Sequence, residues 1–186
     1  MNVYCNYHSP IGSLLITGEN DSITGLWIEG QKYFASTVDT ETEECADAPI
    51  LIQAKEWLDA YFQGKQPDIA MLPLAPKGST FRQRVWKILC EIPYGTVVTY
   101  GEIAKKVAFM EGKKSMSAQA VGGAVGHNPI SILIPCHRVM GANGSLTGYA
   151  GGLERKKFLL ELEGGYSHAD ERAKQDRYSR RTEDRI

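Results

Sequence analysis

The spacing of apolar residues changes character near residue 79, and few folds accommodate that change. Before it, apolar residues fall in short β-type runs: Val3 to Tyr7, Ser13 to Thr17 and Ile23 to Glu29, separated by a Ser-Pro-Ile-Gly turn and an Asn20-Asp21 turn. An acidic loop from Asp39 to Asp47 follows. Leu51, Ala54, Leu58, Tyr61 and Phe62 then share one stripe of a helix predicted from Ile50 to Phe62 and stopped at Gly64. Leu72 to Gly78, with two prolines, is predicted to be a linker. The first part is therefore expected to be a small sheet with one helix packed on it.

From Ser79 the period is helical. Thr80-x-x-Gln83 has the pattern of a capping box opening a helix whose Phe81, Val85, Ile88, Leu89 and Ile92 share a face, and Pro93-Tyr94-Gly95 ends it. Thr99-x-x-Glu102 opens a second helix, Tyr100 to about Val107. After a loop holding Lys113 and Lys114, Ser117 caps a third, Ala118 to Gly126. Two short helices joined in this way resemble a helix-turn-helix with a lengthened turn. The third helix carries Gly122 and Gly123, and each glycine costs a helix roughly 1 kcal/mol relative to alanine. Tight helix packing is one compensation. The other is close approach to a nucleic-acid groove, with Ser117 and the helix N-terminus on phosphates. Further on, Gly141 to Gly144 is a predicted turn, Thr147 to Gly152 a flexible loop, and Leu153 to Glu163 a helix turning Phe158, Leu159 and Leu162 inward.

The formal net charge of −1 conceals an asymmetry. Residues 1 to 78 carry four Lys and Arg against eleven Asp and Glu, whereas residues 79 to 165 carry eleven against six. A basic second half suits a polyanion, and a solvated charged surface with no partner explains it as well. At 42% hydrophobic the composition is globular, and no apolar run approaches the ~18 residues of a membrane span. The start has neither a basic stretch nor an apolar segment of secretory type. Cys5, Cys45, Cys90 and Cys136 are widely spaced, so a reduced, intracellular protein is expected.

Ile134-Pro135-Cys136-His137-Arg138-Val139 is the densest chemical signal. The preceding run, Ile130 to Ile134, is predicted to be a buried strand that Pro135 cannot extend, so Cys136 stands where the backbone turns. His137 is placed to take the thiol proton and Arg138 supplies a cation, and thiols become nucleophiles in such surroundings. Packing is the competing explanation, since free cysteine is among the most buried residue types. A metal site lacks the usual ligand spacing, for Cys136-His137 and for Cys5 and His8 alike, so neither metal nor cofactor is expected. A phosphatase Cys-x5-Arg loop would need arginine where Ala142 stands.

Taken together, Pro93-Tyr94-Gly95-x-Val97-x-x-Tyr100, Ala120-Val121-Gly122-x-Ala124, Asn128-Pro129, Ile134 to Val139 and Gly148-Tyr149-Ala150-Gly151-Gly152 resemble the O6-alkylguanine-DNA alkyltransferases, the methylated-DNA-protein-cysteine methyltransferases. The resemblance is dense from about 79 to 165 and looser before. It implies an α/β ribonuclease-H-like N-terminal domain (1–76) and a mainly α, winged-helix-like DNA-binding and alkyl-transfer domain (79–165); residues 166–186 have no counterpart in it, and their charged composition with few apolar residues predicts a mobile tail or marginal helix. It implies that Cys136 takes the alkyl group from O6-alkylguanine, and from O4-alkylthymine, irreversibly and once. His137 would draw off the thiol proton through a water, Glu163 would orient His137, Tyr100 would donate toward the base, and Asn128 would tie the recognition helix to the active-site segment. Ser117, Gln119, Ala120, Gly123, Lys113 and Lys114 would meet DNA. Val139, Tyr149 and Ala150 would meet an extruded base, because O6 chemistry inside a duplex requires extrusion.

Two positions depart from the family pattern. Gln119 stands where many members place an arginine that fills the gap left by the flipped base, so weaker DNA binding is expected. Ala150 stands where some carry serine, which removes a hydroxyl near O6. The implied partner is double-stranded DNA, acted on by a monomer in the cytoplasm, or in the nucleus of a eukaryote. The competing function is a non-catalytic sensor of alkylated DNA, although such relatives replace the nucleophile that Cys136 supplies. A Cys-His hydrolase on another fold explains neither the glycine-rich helix nor the basic half.

Overall fold

The computed structural model describes residues 1 to 167; residues 168 to 186, most of the expected tail, lie outside the described residues. Three strands, β1 (Asn2–Ser9), β2 (Gly12–Glu19) and β3 (Ser22–Ile28), form an antiparallel meander. Asn20 and Asp21 close the second hairpin with φ of 48° and 58°, the left-handed pair that Asn and Asp tolerate and that matches strand twist. Part of the acidic loop is a strand after all. β4 (Glu43–Glu44) pairs parallel with Val3 and Tyr4 at the sheet edge, giving the order β3-β2-β1-β4. Two adjacent glutamates carry no strand propensity, so only the pairing reveals it. Helix α1 (Pro49–Phe62) lays Leu51, Ala54, Trp57, Leu58 and Tyr61 on the sheet.

The expected linker is not free. Pro73 to Ala75 runs beside β3, where Ile23 N donates to Pro73 O at 2.8 Å and Ala75 N to Ile23 O at 2.8 Å. Leu72 is buried. Farther along the same edge, Leu26 N donates to Pro129 O at 2.8 Å and Ser131 N to Leu26 O at 2.9 Å. The exposed edge of one half is thus closed by backbone from the other, which is how an edge strand avoids unsatisfied pairing.

Helix α2 (Thr80–Cys90) is capped one residue earlier than the pattern suggests: the Ser79 hydroxyl accepts from Arg82 N at 3.3 Å, and Gln83 reaches the Pro76 carbonyl instead of completing a capping box. Its Trp86 indole donates to Ala124 O at 2.8 Å, bridging two helices. Strand β5 (Val98–Thr99) leads directly into α3 (Tyr100–Met110), whose Thr99/Glu102 capping box is complete. The helix runs three residues past Val107, burying Ala108 and leaving Phe109 88% exposed. Ser117 caps α4 (Ala118–Gly126).

The predicted strand at Ile130–Ile134 is corrected. Only Ile130 pairs, with Leu26, and the chain then turns through Ile132 at φ +70°. The apolar residues are buried as expected, but they fill the junction between the halves. An apolar run of five specifies burial without specifying extension. After Cys136, β6 (Val139–Met140) pairs parallel with β5, in register Val98↔Val139 and Thr99↔Met140. Helix α5 (Leu153–Leu162) buries Leu159 and Leu160; Phe158, expected inward, is 38% exposed because Lys156 occupies the stripe that faces the core. The tail was expected from Tyr166, yet that ring packs with Met140 and Leu160.

Candidate active site

The β5–β6 pairing brings Tyr100, first residue of α3, to the neighbourhood of the turn Cys136–Arg138 that precedes β6. Asn128 ties α4 to that turn from the other side. Its amide accepts from Ile130 N at 2.9 Å and donates to Ile134 O at 2.9 Å, satisfying the backbone of a buried bend. Cys136 therefore sits at the floor of a cleft of about 200 Å³, walled by Tyr100, Gly122 and Gly123 on one side and Gly148, Tyr149 and Ala150 on another.

A buried hydrogen-bonded cluster of titratable side chains adjoins the cysteine. His137 is fully buried, and its Nε2 lies 2.7 Å from Glu163 Oε1. Glu163 also accepts from the Tyr61 hydroxyl at 2.7 Å, Arg138 Nε at 2.8 Å and Arg138 Nη2 at 3.0 Å. Burial pushes the Glu163 carboxyl up, but the hydrogen bonds from His137 and Arg138 and the Arg138 charge outweigh it and bring it to about 2. Burial holds His137 below its ordinary value, so the ring is neutral at pH 7. A carboxylate only accepts, so Nε2 carries the ring hydrogen and Nδ1 keeps its lone pair. Nδ1 is buried without a protein partner, which leaves it available as a base.

Burial also raises the Cys136 thiol, against a hydrogen bond from Asn128 and the charge of Lys156. The resting cysteine is thus protonated and depends on a base. Arg138 was expected to favour the thiolate, but it is held on Glu163 and on Ile92 O at 2.6 Å. The cation that acts on the sulfur is Lys156, which the sequence reading missed. Its ammonium is fully buried and donates to Val139 O, to Thr147 O at 2.8 Å and to Gly148 O at 3.1 Å, bolting the loop before Tyr149 to β6. Its signal was a lysine on the Leu159–Leu160–Glu163 stripe. Tyr61 was also missed as a site residue, since a tyrosine on an apolar stripe is indistinguishable from packing.

The Pro93-Tyr94-Gly95 turn does more than end a helix. The Tyr94 hydroxyl donates to Leu162 O at 3.4 Å, and the Arg138 guanidinium lies over its ring, 5.7 Å from the centroid. A Cβ on Gly95 would come within 2.9 Å of the Glu163 backbone carbonyl, so the glycine lets this turn pack against the end of α5.

Tyr100 keeps its proton, since burial raises its hydroxyl, and that hydroxyl lies 3.4 Å from Gly148 O at the cleft. Tyr149 has a buried hydroxyl with no protein partner. Val139 is fully buried and its carbonyl serves Lys156, so it lies behind the cleft wall. Ser117, Gln119, Ala120 and Gly123 are exposed on α4, whereas Lys113 is ion-paired to Glu111 at 2.6 Å. Lys114 is exposed on the adjoining loop. A Cβ on Gly123 or Gly126 would meet nothing within 4 Å, and one on Gly122 would only touch the Tyr100 ring at 3.9 Å. Tight helix packing is therefore not the reason for these glycines.

Two family models match in tandem: residues 2–76 match the 6-O-methylguanine DNA methyltransferase ribonuclease-like domain, and residues 80–165 match the DNA binding domain of the same family. The chain belongs to the 6-O-methylguanine DNA methyltransferase family. Among its relatives, the methylated-DNA-protein-cysteine methyltransferase of Haemophilus influenzae is 41% identical over 160 residues, covering 86% of this chain and 85% of that one. The Mycobacterium tuberculosis protein of the same name is 43% identical over 167 residues, covering 90% and 95%. The crystal structure of Mycobacterium tuberculosis OGT in complex with DNA superposes with a TM-score of 0.76 at 42% identity, covering 90% of this chain and 96% of that chain. In this family's terms, the meander with α1 is the ribonuclease-like domain, and α3 with α4 forms the helix-turn-helix of the DNA-binding domain.

Proposed function

We propose that this protein repairs double-stranded DNA by moving the alkyl group of O6-alkylguanine, and of O4-alkylthymine, onto the sulfur of its own Cys136. One arrangement carries the reading: a protonated, buried Cys136 at the floor of an open cleft, followed directly by a neutral His137 whose Nε2 hydrogen points to an ionised Glu163. In that arrangement His137 Nδ1 takes the thiol proton through a water, and Glu163 stabilises the imidazolium that forms, the division of labour of a nucleophile, base and orienter. The sulfur forms a bond to the alkyl carbon as the carbon–O6 bond breaks. The electron pair passes to guanine, which leaves neutral by taking a proton from Tyr100.

The DNA side follows from the same placement. The exposed first turn of α4, with Gln119 and Ala120 behind the Ser117 hydroxyl that caps Ala120 N, presents a helix N-terminus suited to a phosphate, and the bare Gly123 lets a strand come close. Lys114 adds positive charge beside them, while Lys113 is compensated by Glu111. The target base is extruded into the cleft, against Tyr149 and Ala150. Asn128 and Lys156 hold the walls. The thioether on Cys136 has no route back to thiol, so each monomer acts once. The named relatives and the DNA-bound neighbour support this reading. No helix among the described residues is long and apolar enough to cross a membrane. We place the protein where DNA is, in the cytoplasm of a prokaryote or the nucleus of a eukaryote.

The test is to incubate the protein with a duplex bearing O6-methylguanine and weigh the Cys136 peptide. A single added methyl, absent from Cys136→Ala, is the expected result. Retained DNA binding with no mass gain would instead mark a sensor of alkylated DNA.

A further inference from the structure

The cleft over Cys136 has a wall that the alkyl-transfer chemistry does not use, and it comes from the ribonuclease-like domain. Lys32 and Tyr33, in the loop after β3, line the cleft together with His127. The Tyr33 ring stacks on the His127 ring with centroids 3.9 Å apart and planes at 21°. His127 is oriented by a 2.7 Å hydrogen bond between Nδ1 and Gly123 O. Tyr33 adopts φ +57° and Ala35 φ +53°, left-handed conformations that side chains other than glycine rarely take without support.

That support is visible on both sides of the cleft. Lys32 N donates to Ala150 O at 3.0 Å, joining the loop to the wall around Tyr149. Gln31, itself buried, accepts from Ile28 N at 2.7 Å and from the Ser131 hydroxyl at 3.3 Å, joining it to the bend that carries Cys136. His127 is the residue before Asn128, whose amide hydrogen-bonds toward the sulfur. The aromatic pair therefore lines the same cleft as Cys136 and Tyr100, and closes it on the side of the ribonuclease-like domain.

We infer that the Tyr33–His127 stack is a specificity wall for the substituent on O6: an alkyl group larger than methyl packs against it while its first carbon meets Cys136. This rests on the alkyl-transfer reading above. A methyl group is confined between O6 and the sulfur and does not reach the wall. An aromatic or long alkyl group must extend beyond that gap, and a fixed aromatic surface rewards it, as ring contacts add to plain burial.

The experiment compares single-turnover transfer to Cys136 from duplexes bearing O6-methylguanine or O6-benzylguanine, followed by peptide mass. Wild type, Tyr33→Phe and Tyr33→Ala are measured, each with a thermal melt. The expected result is a benzyl-to-methyl rate ratio lowered about tenfold in Tyr33→Ala and kept within about twofold in Tyr33→Phe, the scale of one aromatic contact. A ratio that is unchanged or raised in Tyr33→Ala overturns the inference, and so does an equal loss in Tyr33→Phe. General damage to the fold slows both substrates alike and leaves the ratio unchanged, which also counts against it. Failure of the wild-type protein to take up methyl sinks the alkyl-transfer reading itself, and this inference with it.

Discussion

Glu163 organises the site because one carboxylate accepts four hydrogen bonds, from Tyr61, His137 and two nitrogens, Nε and Nη2, of the Arg138 guanidinium. Glu163→Gln keeps the shape but offers an amide in place of an anion, so the imidazolium loses its partner. Methyl transfer is expected to slow by about a hundredfold or more, the usual contribution of a positioned base, with DNA binding retained. Single-turnover kinetics check this. The pH profile follows from His137, which burial holds below its ordinary value of 6.5. The wild-type rate should be level through neutral pH and fall only in acid, once Nδ1 is protonated. A rate that already falls between pH 8 and 7 contradicts the assignment of His137 as base.

Among the elements, α4 and the bend after it show how position outranks composition. The helix presents Gln119 to solvent in its first turn, with no arginine to occupy the gap left by an extruded base. Gln119→Arg adds a planar cation at that point, and each new phosphate or base contact raises affinity and salt dependence together. Binding to a modified duplex is expected to tighten several-fold at low salt and less at high salt, measured by fluorescence anisotropy. An unchanged affinity contradicts the role given to the first turn of α4. The bend at Ile130–Ile134 is the element that sequence misjudged. Its branched residues favour a strand, yet Asn128 supplies hydrogen bonds that a strand neighbour would otherwise provide. No pattern of apolar residues encodes that substitution of partners.

At the scale of the whole molecule, the two halves share one site. Tyr61 on α1 donates to Glu163, and β3 pairs with the backbone leading to Cys136. Tyr61→Phe removes a buried bond to a charge, so stability should fall by about 2 kcal/mol, read from denaturant melts. Alkyl transfer should slow with it, because the carboxylate that orients His137 is less firmly held. An active variant of full stability contradicts the coupling between halves. The same carboxylate sets an acid limit. Its value is near 4.5 when unfolded and about 2 in the fold, so the stability it contributes is present above pH 4.5 and is lost as pH falls toward 2. Glu163→Gln should flatten that part of the stability profile.

Much was legible without coordinates. The change of period separated a sheet from a set of helices, since alternation and 3.6-residue repeats are local properties of the chain. The Thr99/Glu102 box and the Ser117 cap were legible for the same reason, as caps act within four residues. Cys136, His137, Asn128 and Glu163 were singled out by their resemblance to a family, and the structure brings them together. Tertiary structure alone decided what those residues do to one another. Arg138 neighbours Cys136 in sequence but neutralises Glu163, while Lys156, twenty positions away, is the cation that acts on the sulfur. Tyr33 and His127 stack across 94 residues of chain, and no local pattern announces them. Charges and aromatic faces act over a few ångströms, and which groups fall within that reach is settled by how the two halves close on each other.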